Sequence, residues 1–238
     1  MISAKPWSAD AAMILVAGVV ACLFIGLSLA WLLEAVHPHF SPDNLEFAQT
    51  TIVILCFQGA SLGWIALFLR VNRISWREAF GLPPSFPGKT IALGAVAGVL
   101  VLPLMWVLQW LSQLVMPILH LTPVAQTAVT ELQKPGLSAA QKIAFGVFTI
   151  LLAPVAEEVL FRGILYPSIK QAGRPRLALW GTSTFFAALH LNAASLVPLL
   201  VLALILVFLY EFSESLLAPI LAHSIFNAAN FFYLLLVS

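Results

Sequence analysis

The chain has 238 residues, 61% of them hydrophobic and only 9% charged, with a mean hydropathy of +1.01. About a quarter of an ordinary soluble domain is charged, so this composition excludes one and describes an integral membrane protein. A net charge of +1 provides no basic surface for nucleic acid, and neither a phosphate loop nor a dinucleotide fingerprint is present.

In chain order, apolar runs predict spans at 11–33, 47–69, 90–116, 139–169, 177–191, 196–210 and 216–237. A hydrocarbon core about 30 Å thick needs roughly 20 apolar residues per helix. The runs are continuously apolar rather than alternating, which selects helices over a barrel. The expected fold is therefore all-α, a polytopic transmembrane bundle of about seven to eight spans, with room for an eighth helix in the connection after 116.

The first run is too long for a signal-peptide core and lacks a small-residue cleavage site, so it reads as an uncleaved span. Cys22 and Cys56 lie inside spans and read as small buried hydrophobes. Gly59 with Gly63, and Gly94 with Gly98, have the G-x-x-x-G spacing that lets helices approach closely. The segment "ISWREAFGL", 74–82, mixes aromatics with charges and is expected along the membrane interface. Ser138 and Gln141 form a capping-box pattern that opens the fourth span.

Basic loop residues orient the bundle, because Lys and Arg stay on the cytoplasmic side. With the N-terminus inside, Lys5, Arg70, Arg73, Arg77, Lys89, Lys170, Arg174 and Arg176 are all cytoplasmic, and only Lys134 and Lys142 are opposite. The expected location is a prokaryotic plasma membrane, crossed several times, with the N-terminus cytoplasmic.

Ionisable groups inside the hydrocarbon cost at least a few kcal/mol each, so every one is a site candidate. Glu157, Glu158 and Arg162 lie on the fourth span, His190 on the fifth, and His223, Asn227 and Asn230 on the seventh. Glu158 and Arg162, spaced i, i+4, can pair on one helix face. Glu157, about 100° around the helix, is left freer and suits a general acid or base. His223, Asn227 and Asn230 form one polar stripe at i, i+4, i+7, with Asn230 read as packing. Counted from the cytoplasmic ends, Glu157, His190 and Asn227 lie at a similar depth of roughly 20 Å, taken as nearer the cytoplasm. Pro154 is expected to kink the fourth helix one turn before Glu157. His37, His39 and His120 read as solvated.

"EEVLFR" (157–162), "FAALH" (186–190) and "HSIFN" (223–227) match E-E-x-x-x-R, F-x-x-x-H and H-x-x-x-N. Their order and separation resemble the CPBP family, also called Abi or type II CAAX prenyl endopeptidases, which contains the Ras-converting enzyme. The resemblance covers 138–238 as a catalytic core, with 1–137 as N-terminal transmembrane helices of one integrated membrane domain.

The resemblance implies an intramembrane endopeptidase whose cavity opens to the cytoplasm and whose partner is a peptide or protein substrate at the bilayer. Glu157 and His190 would activate the attacking water, and His223 and Asn227 would stabilise the oxyanion. Glu158 and Arg162 would order the site or bind substrate. The family is commonly labelled metalloprotease, and Glu157, His190 and His223 are the alternative zinc ligands. No H-E-x-x-H is present, and a metal-free mechanism without cofactor is preferred. Two other classes remain open: a non-enzymatic membrane immunity or scaffold protein, and a proton-coupled transporter, against which stands the absence of an internal repeat.

Overall fold

A computed structural model describes residues 5–37, 39–82, 88–122, 127–134 and 136–237. Among them the chain forms nine helices and no strands: α1 Ala9–Val36, α2 Pro42–Val71, α3 Trp76–Phe80, α4 Gly88–Leu119, α5 Thr127–Leu132, α6 Ala139–Gln171, α7 Pro175–Ala188, α8 Ala193–Ser213 and α9 Leu217–Val237. Six of these, α1, α2, α4, α6, α8 and α9, are long and apolar enough to cross a membrane.

The expected seven to eight spans thus become about six. The fifth apolar run fails as a span because its helix, α7, has 14 residues, a rise of only about 21 Å. It stops at Ala188, and the chain then turns through Leu191 at φ 49°. The helix sought after 116 exists as α5, but six residues make under two turns. Ser138 caps α6 as expected, accepting from Gln141 N–H while the Gln141 side chain accepts from the Ser138 backbone.

The described residues fall into two compact units. In the first in chain order, 6–79, α1 and α2 form an antiparallel hairpin: Trp64 Nε1 donates to Leu15 O at 3.3 Å and Gln49 Nε2 to Ala30 O at 3.1 Å. Cys22 and Cys56 are free and half-buried rather than fully buried, with Cys56 packed against Gly26.

The other unit comprises Lys5 and the residues from Phe80 onward. Here α4 lies against α9 at close range, because Gly94 and Gly98 leave room for the backbone of Ala218 and Ala222. The ends of α6 and α8 meet where Tyr166 and Lys170 both donate to Glu211 Oε1. Lys5 reaches the same end of α8, donating to Tyr210 at 2.8 Å. Phe80 is buried, its ring against Gly163 and Leu216 and its carbonyl accepting Leu216 N–H. Gly81 follows at φ 65°, in the left-handed region, and any Cβ there would collide with Glu214 O.

Candidate active site

The site is built on α6, an α-helix interrupted by two wide π-type stretches at Phe148–Leu152 and Val159–Leu165 that flank the two glutamates. Such stretches leave carbonyls without their usual i+4 donors and recur at functional sites. Glu158 and Arg162 pair as the spacing predicts, Nη1 to Oε1 at 2.8 Å, with both side chains almost wholly buried. An isolated guanidinium in such a place would be untenable, and a buried pair survives only when its remaining donors are also satisfied. Arg162 Nη2 accordingly donates to Ala203 O on α8 at 3.0 Å, and the guanidinium lies over the Phe186 ring of α7, 4.7 Å from its centroid.

His223 on α9 completes the network. Its Nδ1 stands 3.0 Å from Glu158 Oε1, the same oxygen that binds Arg162. A carboxylate can only accept, so Nδ1 carries the proton and Nε2 is the nitrogen left for chemistry. Nε2 points towards Glu157 Oε2 at 3.9 Å, too far for a direct hydrogen bond. Glu157 Oε2 is shielded yet has no hydrogen-bond partner among the described residues. One glutamate therefore holds the imidazole, and its neighbour faces the imidazole across a gap.

Asn227, one turn along α9, donates Nδ2 to Thr149 O at 2.9 Å, so His223 and Asn227 both turn towards α6. Asn230 turns instead to α4, accepting from Trp106 Nε1 at 3.2 Å, which is the packing role expected of it. His190 departs from expectation. Because α7 ends at Ala188, His190 lies beyond the helix on an exposed turn, and its Nδ1 is 2.9 Å from Phe186 O. His37, His39 and His120 are exposed, as their loop positions suggest.

Exposure is graded across the cluster. Glu158, Arg162 and His223 are buried, Glu157 is 18% exposed at its side chain, and His190 is open.

A zinc site needs three or four donors each at about 2.0–2.3 Å. Among the described residues no group of three or more His, Cys, Asp and Glu side chains is arranged to hold a metal. Glu157, His190 and His223, the alternative zinc set, form no such group.

Three participants were invisible as chemistry in the sequence: the carbonyls of Thr149 and Ala203, which any residue type would supply, and the Phe186 ring. Phe186 had a signal in F-x-x-x-H, and its ring packs against both His190 and His223, at 5.0 and 5.8 Å between centroids.

These features define a class, helical membrane proteins with a buried Glu–Arg–His network between their last four helices. Residues 139–229 match the family of Type II CAAX prenyl endopeptidase Rce1-like proteins, and the chain carries a domain of that family there. The chain is also 36% identical over 86 residues to the uncharacterized protein YpbD of Bacillus subtilis (strain 168), a stretch covering 34% of this chain and 41% of YpbD. It thus spans about two-fifths of the length of that relative. No solved structure matches.

Proposed function

We propose that the protein is an intramembrane endopeptidase that hydrolyses a peptide bond of a membrane-associated protein or peptide. The observation that carries this reading is the partnerless Glu157 Oε2, set 3.9 Å from a His223 Nε2 whose ring is fixed from behind by Glu158 and Arg162. A gap between two proton-handling groups, lined by a carboxylate that lacks a donor, is suited to a water molecule and a scissile carbonyl.

In this mechanism Glu157 takes a proton from the attacking water as the oxygen bonds to the carbonyl carbon. When its ring carries a second proton, His223 donates from Nε2 to the developing oxyanion, and the second N–H of Asn227 does the same. Glu157 then returns its proton to the leaving amine. His190, exposed at the approach, meets the water or the substrate on entry. Glu158 and Arg162 order the imidazole and do not touch substrate. The grouping of Lys5 with Lys170 at one end of α8 agrees with an N-terminus on the cytoplasmic side.

Glu157→Gln keeps the shape and removes the base. With expression equal, processing of membrane proteins should fall at least about 100-fold, the contribution typical of a general base. The measurement is comparative membrane proteomics of cells carrying either form, looking for an uncleaved protein that accumulates. Undiminished processing would overturn the proposal.

A further inference from the structure

The hydrogen bond that holds Asn227 has an origin in the backbone of α6. In the π-type stretch Phe148–Leu152, Ala153 N–H reaches back five residues to Phe148 O instead of four to Thr149 O. The next donor in that five-residue register would come from position 154 and bind Thr149 O. Position 154 is proline, which has no N–H. Thr149 O is thereby passed over by one donor and denied the next. In a low-dielectric interior an unpaired carbonyl is costly, and the Asn227 amide fills the vacancy at 2.9 Å.

We infer that Pro154 is a positioning residue for Asn227: by withholding its backbone donor it reserves the Thr149 carbonyl for the Asn227 amide and so fixes the plane in which that amide meets the substrate. Committing one N–H of Nδ2 to Thr149 O settles which end of the amide is nitrogen and leaves the second N–H as the available donor. Pro154 is buried and three residues from Glu157, so one interruption of α6 serves both. It widens the helix before the base, and it aims an amide borne on α9. The catalytic part of this inference rests on the reading of Asn227 as an oxyanion donor; the structural part does not.

The test restores the missing donor. Pro154→Ala, and Pro154→Val as a variant closer in volume, each supply an N–H that can bind Thr149 O. The full-length chain, labelled with ¹⁵N-asparagine in detergent micelles, reports the Asn227 side-chain amide pair, assigned by its loss in Asn227→Asp. Hydrogen exchange of that pair should accelerate at least about tenfold in both proline variants, while the thermal midpoint does not fall. A merely structural proline would lower the midpoint and leave the amide alone. Unchanged exchange in folded Pro154→Ala or Pro154→Val overturns the inference.

Processing of the accumulated membrane protein supplies the second arm. Pro154→Ala should slow it by about tenfold or more, as small misplacements at a reacting centre do. The double variant with Asn227→Ala should be no slower than Asn227→Ala alone, because both changes act through one amide. Independent, multiplying losses would refute the link. If the endopeptidase reading itself fails, the wild type cleaves nothing either, while the amide measurement still decides the positioning role.

Discussion

The α1–α2 hairpin and the α6–α9 helices are built from equally apolar sequence, yet they solve the membrane problem differently. The hairpin turns most of its large side chains outward, with Met13, Phe24, Trp31 and Leu67 all more than half exposed, and its two glutamates, Glu34 and Glu46, stay exposed near the helix ends. The α6–α9 helices bury an arginine, a glutamate and a histidine in direct contact. Apolarity places both in the bilayer; only the second group accepts the cost of desolvating charge. Charge kept at such cost is what the proposed chemistry rests on.

Truncating one acid in each region should separate them most. Glu158→Ala leaves Arg162 buried without its counter-charge and should destabilise the folded chain by about 3–5 kcal/mol. Glu34→Ala, which loses only a 3.4 Å contact from Gln49, should stay within about 0.5 kcal/mol. Chemical denaturation in mixed micelles reads both, and equal losses would dissolve the contrast.

A smaller effect comes from the buried base at the end of α8. Burial lowers the Lys5 ammonium from its ordinary 10.5 to about 8. Below pH 8 it is protonated in both folded and unfolded chains, and stability has no slope from it. Between pH 8 and 10.5 the unfolded chain holds more proton, so stability rises with pH. The rise is at most about 3 kcal/mol over that window. Lys5→Met should flatten the curve there, and an unchanged difference between the two curves from pH 8 to 10.5 would contradict it.

The two G-x-x-x-G pairs give the finest comparison. A Cβ at Gly94 would stand 2.6 Å from Ala218 O, whereas at Gly59 and Gly63 no atom lies within 4 Å. Gly94→Ala should therefore cost about 1–3 kcal/mol. Gly63→Ala should gain about 0.5–1 kcal/mol through reduced backbone entropy in the unfolded chain. Thermal midpoints of the two variants should move in opposite directions, and a shared direction would show that the spacing, not its surroundings, sets the outcome.

The same pairs show how far the sequence reaches. Spacing announces that close approach is possible, and the fold decides which pair uses it. Long apolar runs located the six long helices to within a few residues, because the bilayer sets a length that composition must meet. The 177–191 run misled because apolarity continues through Leu189 and Leu191 after the helix has ended. The ionic pair was legible from i, i+4 geometry, and the single freer glutamate followed from it. The placement of His190 was not legible, since counting depth along a helix presumes that the helix continues. The carbonyl partners carry no side-chain signature at all.

A helix as short as α7 also acts on its surroundings. Beside neighbours of 33 and 21 residues, its 14 leave about 9 Å of a 30 Å hydrocarbon layer unmatched. Acyl chains next to it must shorten or splay, and headgroups with their hydration follow them inward. The expected consequence is a local thinning of the bilayer at the turn that carries His190. For the hydrolysis proposed above, such thinning would bring water, the second substrate, towards the site.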